Sequence, residues 1–393
     1  MGVPDRGSQF SQYDTDVPKY MFGIVYRNII KPILFLFSAD SVHKRALESG
    51  YFFGHRAFAR WLIRALFSYK SDALKQVIAG IHFENPIGLA AGFDYNADLI
   101  QITPALGFGF HTIGTITYGA YDGNPAPMLG RLPKSKSLLV NKGFKNAGIK
   151  NVLAKVSREK TTIPLGISIG STNKRYESFQ EVVEEITNAF EAALKVNYFR
   201  YYELNISCPN LIHVAHLSRK IDDPDGFTEL LDALSGLTIQ KPIFIKMHLE
   251  KSVDETSVLC EIAVRYPFVK GVILANLAKD RTNPAFHPDE IAEAGKGNFS
   301  GKPTETLSNN LVRAVYQRFG KRLAIIGCGG VFNGKDAYEK IRSGASLVQM
   351  ITGMVYMGPQ QVGVINREID ELLRRDGFSS VHDAIGAFHL TGR

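Results

Sequence analysis

The sequence predicts an α/β protein of the (β/α)8 TIM-barrel class, preceded by a helical segment suited to a membrane surface. Three observations predict it. From residue 86 onward, eight short apolar runs recur, each ending in a polar or glycine-rich tip and followed by a helical stretch. The runs are near-continuously hydrophobic, as strands are when a parallel sheet is covered on both faces. The tips carry the chemistry-bearing side chains, and barrels of this class place reactive groups at the C-terminal ends of their strands. A doubly wound open sheet is the alternative. No G-x-G-x-x-G follows a strand, so a dinucleotide-binding half lacks support.

In chain order, the first 70 residues read as a separate front end. Met1 to Pro18 is polar and contains Asp5, Asp14 and Asp16, which argues against a secretory signal or a transit peptide. Tyr20 to Phe37 is the most apolar stretch, but Arg27, Lys31 and Pro32 interrupt it and it is short for a bilayer span. Residues 20 to 70 read as helices, with Asp40 and Ser41 as an N-cap. Arg56, Arg60 and Arg64 recur every fourth position as one basic stripe, while Phe58, Trp61, Leu62, Ala65 and Leu66 fill other angles of the same helix. An apolar, aromatic face flanked by arginine suits a lipid headgroup layer. The other reading is a helix packed on the protein body with its charged side in water.

Residues 71 to 393 form the barrel. Its predicted strands are Ile87 to Ala91, Gly109 to Thr115, Pro164 to Ile169, Tyr201 to Ile206, Pro242 to Met247, Gly271 to Ala275, Leu323 to Ile326 and Ser346 to Ile351. The fourth ends in Asn205-Ile-Ser-Cys-Pro-Asn210, a thiol bracketed by carboxamides, and a buried core strand has no use for such polarity. The fifth ends in Lys246, a single cation closing an apolar run. After the seventh and eighth come Gly327-Cys-Gly-Gly330 and Thr352-Gly353, where barrels commonly expose backbone N–H groups to a phosphate. Taken singly, such glycines are turn residues; paired at both final strands they point to a phosphorylated cofactor or substrate.

Bulk composition agrees with a globular enzyme. The chain has 393 residues, 45% hydrophobic and 21% charged, with a net charge of +8. The surplus suits anionic ligands or a membrane surface, or simply solubility. Cys208, Cys260 and Cys328 are odd in number and far apart, so they form neither a disulfide framework nor a metal-ligand pattern. The basic residues are scattered and no nucleic-acid reader motif is present.

Read together, the tips resemble the dihydroorotate dehydrogenase family, in its membrane-associated, quinone-reducing class. The matching motifs are Asn85-Pro-Ile-Gly-Leu-Ala-Ala-Gly-Phe-Asp94, Ile113-Gly-Thr-Ile-Thr117, Gly123-Asn-Pro-Ala-Pro127 with Arg131-Leu-Pro133, Asn205 to Asn210, Ser300-Gly-Lys-Pro303, Ile326-Gly-Cys-Gly-Gly330 and Gly344-Ala-Ser-Leu-Val-Gln349. The resemblance implies an FMN enzyme. Ala91, Gly92, Thr115, Ser168 and Ala275 would surround the flavin ring, with Asn205 and Lys246 at its pyrimidine edge. Gly301, Gly329, Gly330, Thr352 and Gly353 would hold its phosphate. Cys208 would be the base, and Lys246 would stabilise charge on the reduced ring. Tyr95, Asn141, Lys142, Gly143, Phe144, Asn205, Asn210 and Asn276 would meet a dihydroorotate-like substrate. The expected partners are that substrate, a quinone and a membrane surface, and the expected location is peripheral, on the cytoplasmic face of a bacterial inner membrane.

Departures from the family cluster on the substrate side. Asp-Lys is Asp94-Tyr95 here, the substrate asparagine aligns with Val140, a threonine has become Leu277, and Ser168 and Ile351 replace an asparagine and a tyrosine. Beyond Asn210 the loop Leu211-Ile-His-Val-Ala-His216 is remodelled. The quinone class usually carries serine where Cys208 stands, and a free thiol near ~8.5, lowered by a positive neighbour, makes the better base. Lys142 or Lys145 restores the lost charge, or both are solvated loop lysines. Three other functions stay open: an FMN paralogue acting on another cyclic amide or enone, a non-flavin aldolase with a Schiff base on Lys246, and a non-catalytic flavin-binding protein.

Overall fold

The structure, a computed structural model, describes residues 17–211, 217, 219–274 and 276–389. Its strands are β1 (Gln76–Ile78), β2 (Ile81–Phe83), β3 (Ile87–Leu89), β4 (Phe110–Ile116), β5 (Leu129–Leu132), β6 (Ser137–Val140), β7 (Leu165–Ile169), β8 (Tyr201–Asn205), β9 (Ile243–Lys246), β10 (Val269–Leu274), β11 (Asn298–Phe299), β12 (Ala324–Cys328) and β13 (Leu347–Met350). Eight of them close into a parallel barrel in the order β10-β12-β13-β3-β4-β7-β8-β9. Every predicted run forms one barrel strand, with ends displaced by a few residues.

Side-chain alternation divides the barrel into two worlds. Tyr202 and Leu204 point outward into the layer shared with the surrounding helices, while Tyr201, one position earlier, faces inward. The innermost apolar layer is Phe110, Tyr201, Phe244, Ile273, Ile326 and Leu347, of which Phe110, Tyr201, Phe244 and Leu347 stand at or next to the starts of their strands. Ile78, Ile81 and Phe83 pack onto this layer from the antiparallel hairpin β1–β2, closing that end. The sequence reading had no hairpin here, since three-residue strands leave almost no periodicity to detect. Above the apolar layer the interior turns polar: Gln349 Nε2 donates to Thr112 Oγ1 (3.0 Å), which also bonds the Tyr201 hydroxyl (2.7 Å). Polarity therefore rises toward the C-terminal mouth. A second unforeseen piece is the antiparallel sheet β11-β6-β5, with its own apolar cluster of Leu132, Leu139, Phe286 and Phe299.

Among the described residues the front end has four α-helices, α1 (Val17–Val25), α2 (Lys31–Phe35), α3 (Ala39–Gly54) and α4 (Ala57–Phe67), the first two joined by a π-helical turn at Tyr26–Ile30. The cap of α3 is Ser38, whose hydroxyl accepts from Ser41 N (3.3 Å), not Asp40 or Ser41. Asp40 instead reaches across to the barrel body and accepts from Met128 N (3.0 Å) and Leu129 N (3.2 Å). The expected arginine stripe is also broken up. Arg56 precedes α4 and donates to Phe52 O, while Arg60 turns inward to Gln101 Oε1 (3.1 Å), leaving Arg64 exposed. Beside the exposed Arg56 and Arg64, the front end presents large apolar side chains to solvent: Leu36, just past α2, is 83% exposed, and Phe58 and Trp61 of α4 are 72% and 63% exposed. No helix among the described residues is long and apolar enough to cross a membrane.

Burial holds His43 and His111 down to about 3 and His248 down to about 4. Between those values and ~6.5 the unfolded chain binds protons that the folded chain refuses, so stability falls as pH drops through that window, by up to about 1.4 kcal/mol per unit for each histidine. Asp94, pushed up to about 6 by burial, acts oppositely below that pH and offsets one histidine. Calorimetry should therefore find a lower melting temperature at pH 5 than at pH 7, and a flat profile would contradict the buried neutral histidines.

Candidate active site

A cavity of about 510 Å³ opens at the C-terminal mouth of the barrel and continues between the front helices. Its inner end is lined by Ala91, Gly92, Thr115, Asn205, Cys208, Lys246 and Asn276, and its outer passage by Phe53, Ile63, Phe67, Leu106, Phe108 and Met354. Of the residues singled out from sequence, Tyr95, Lys142, Gly143, Phe144, Asn210, Gly301, Gly329, Gly330, Thr352 and Gly353 also line it. Ser168 and Asn141 do not; each is turned into a polar partner behind the wall. Ala275 and residues 212–216 of the remodelled loop lie outside the described residues.

The floor is a connected polar network. Register places Asn205 beside Lys246 and Ser168 beside Glu203, and the inward phase of β8 that begins with Tyr201 continues through Glu203 to Asn205. Ser168 Oγ donates to Glu203 Oε1 (2.7 Å), which lies 3.6 Å from Lys246 Nζ. Ser168 also bonds Thr115 Oγ1 (3.0 Å), and Asn205 Nδ2 donates to Thr115 Oγ1 (2.9 Å). Both members of the ion pair are buried. The pair fixes the Lys246 side chain at the mouth, where its end faces the place an electron-rich ligand edge would occupy. Glu203 escaped the sequence reading. The signal was present, since a glutamate in phase with Asn205 on an otherwise apolar strand has to face the interior.

Cys208 stands just past β8, with its thiol opening onto the cavity. Burial pushes it up to about 12, outweighing the opposing pull of the Asn210 hydrogen bond, Lys246 and Lys279. The expectation of a thiol eased toward thiolate by a positive neighbour is thereby corrected: desolvation of the anion is the larger effect. Cys260 is core, while Cys328 lines the cavity and is likewise raised by burial.

Around the thiol sits a web of amides. Asn276 Nδ2 donates to Ser207 Oγ (2.9 Å) and Ser207 O (3.1 Å), and Ser207 Oγ donates to Asn205 Oδ1 (3.0 Å). Asn210 Nδ2 donates to Val140 O (3.1 Å), and its Oδ1 accepts from Asn298 (2.6 Å). Asn141 Oδ1 accepts from Asn124 (2.9 Å), which explains its absence from the cavity. Asn298 was not singled out, because β11 brings it to the site only through pairing with β6, and Asn124, present in the Gly123 to Pro127 motif, was given no role there.

At the opposite wall, Gly329 and Gly330 have φ of 109° and 71°. A Cβ on them would meet Thr304 Oγ1 at 2.5 Å and Glu305 Cβ at 2.4 Å, so both must be glycine. Their N–H groups have no backbone acceptor among the described residues. With Gly301 and the Thr352 hydroxyl, bonded to Ser300 Oγ (2.8 Å), they make a donor-rich cradle that fits a phosphate.

The family profile for dihydroorotate dehydrogenase matches residues 73–373, which include every side chain of the barrel mouth described above but not Phe53, Ile63 and Phe67 of the front end. The chain belongs to the dihydroorotate dehydrogenase family. It is 32% identical over 357 residues to a Nocardia farcinica protein named dihydroorotate dehydrogenase (quinone), covering 91% of this chain and 95% of that one. A Roseiflexus castenholzii protein of the same name is 34% identical over 360 residues, covering 91% and 96%. Among solved structures, the crystal structure of DHODH in complex with ferulenol from Eimeria tenella aligns with a TM-score of 0.74 at 25% identity, over 84% of this chain and 94% of that chain. In this member of the dihydroorotate dehydrogenase family, the Glu203–Lys246 pair yields a stability prediction. Glu203→Leu leaves a buried ammonium uncompensated and should cost about 3–5 kcal/mol in urea unfolding, much of it recovered in the Glu203→Leu, Lys246→Met double variant. Equal loss in the single and double variants would show that the pair is not coupled.

Proposed function

We propose that the chain is an FMN-dependent dehydrogenase that oxidises dihydroorotate to orotate and delivers the electrons to a quinone. One observation carries the reading: a single cavity joins the thiol, ammonium and amides at the barrel mouth to an apolar passage between the front helices. FMN, when bound, would supply the two-electron acceptor for the substrate's oxidation. The chain's own residues do the rest. Gly301, Gly329, Gly330, Thr352 and Gly353 would hold the phosphate, and Ala91, Gly92 and Thr115 would line the ring. Lys246, fixed by Glu203, stabilises negative charge at the ring's edge. Asn205, Asn210 and Asn276 orient the substrate's amide groups, and Cys208 takes its proton.

The passage suits the isoprenoid tail of a quinone, being walled by Phe53, Ile63, Phe67, Leu106 and Met354. Arg131 lines it too, tied to the front end through Phe37 O (2.7 Å) and the face of Phe35 (4.5 Å). The exposed apolar residues of the front-end helices, beside Arg64, seat the enzyme peripherally on the cytoplasmic face of a bacterial inner membrane. One observation favours a related substrate instead: Tyr95, Val140 and Leu277 all face the cavity and offer no charge. A different cyclic amide is the second reading.

Anaerobic dihydroorotate should bleach a yellow preparation; colour without bleaching would favour the second reading, and a protein that takes up no FMN would end both. Cys208→Ala should slow flavin reduction by roughly 10²–10⁴-fold, and Cys208→Ser should restore part of it. Because burial raises the thiol, the reduction rate at saturating dihydroorotate should climb with pH past ~8.5 without a plateau in stopped-flow measurements.

A further inference from the structure

We propose that Lys142, oriented by His43 from front-end helix α3, is the cation that receives the substrate's carboxylate; this rests on the reading of the cavity as a dihydroorotate site. Four described cations line the cavity: Arg131, Lys142, Lys145 and Lys246. Three are engaged elsewhere. Lys246 is paired with Glu203, Arg131 with Phe37 O and the Phe35 ring, and Lys145 donates to Asp122 O (2.8 Å). Lys142 differs. Its Nζ lies 2.8 Å from His43 Nδ1 and 4.4 Å from the centroid of the Tyr95 ring, both neutral groups.

The hydrogen bonds fix how His43 holds it. His43 Nε2 lies 2.9 Å from Phe93 O, and a carbonyl can only accept, so Nε2 carries the proton. Nδ1 then has a lone pair and accepts from the ammonium. An ammonium has three N–H donors, and one is used here; among the described residues no carboxylate is paired with Lys142. A cation that is largely enclosed, backed by an imidazole and an aromatic face, has only the Asp40 carboxylate, beyond ion-pair distance, as counter-charge, less than such burial calls for. An anionic substrate entering beside Asn205, Asn210 and Asn276 supplies the rest.

Burial holds Lys142 down to about 7, with Asp40 pulling up and Lys145 pulling down. The other groups packed around it titrate elsewhere. His43 is held at about 3, Tyr95 is raised by burial, Asp94 sits at about 6 and Cys208 at about 12. From pH 6.5 to 9, loss of the Lys142 proton is therefore the change that orotate binding should report.

The test titrates orotate, and its uncharged carboxamide analogue, against the flavin spectrum of full-length holoenzyme across that pH range. Wild-type Kd for orotate should rise from pH 7 to 9, by up to tenfold per unit, while the carboxamide shows no such trend. Lys142→Met should weaken orotate binding by roughly ten- to a hundredfold, the range of a charge-assisted hydrogen bond, and spare the carboxamide. Lys142→Arg should bind orotate with the pH dependence removed. His43→Phe should weaken orotate several-fold, with His43→Gln, which keeps an acceptor, recovering part of the loss. Wild-type affinity that is flat with pH, Lys142→Met that binds orotate normally, or a loss of FMN in place of orotate would each overturn the assignment. If Lys142→Met does not fold, the wild-type and Lys142→Arg profiles decide. A wild-type flavin that dihydroorotate never bleaches would instead defeat the functional reading beneath it.

Discussion

A buried charge pair organises the catalytic end of this barrel. Glu203 and Lys246 stand on adjacent strands with almost no solvent access, 3.6 Å apart. Neither charge would be tolerable there alone. Their pairing, extended through Ser168, Thr115 and Asn205, turns the upper half of the barrel from filler into a preorganised floor. The apolar layer beneath, capped by the β1–β2 hairpin, lets that floor be polar without opening the barrel to water.

The front end is part of the site, not an appendage to it. Asp40 ties α3 to the chain at Met128 and Leu129, Arg131 reaches back to Phe37, and Tyr26 donates to Val355 O (2.8 Å). Between these ties runs the apolar passage, so the helices that expose Leu36, Phe58 and Trp61 on one side wall the cavity on the other. His43 carries this joint to the substrate end of the cavity.

Much of the site was legible because its residues terminate strands. Cys208, Lys246, Asn276 and the glycines after β12 and β13 each interrupt an apolar run, and a barrel gathers such interruptions at one mouth. Residues that reach the site laterally left no such mark. Asn298 arrives through the pairing of β11 with β6, and His43 arrives through helix docking, from positions far away in sequence. Asp40 read as a helix cap because its local sequence suits one; the tertiary contact with Met128 and Leu129 claimed its carboxylate instead.

By itself, the sequence determined the barrel, its eight strands and the family, since hydrophobic runs and tip motifs are local and repeat along the chain. It also determined which residue types stand at the mouth. Only the tertiary structure decided what those residues experience. Whether a thiol is eased toward its anion or driven up to about 12, or a loop lysine lies in water or against a neutral imidazole, depends on burial and on partners distant in sequence. Desolvation is a property of the packed fold, and no run of neighbouring residues encodes it.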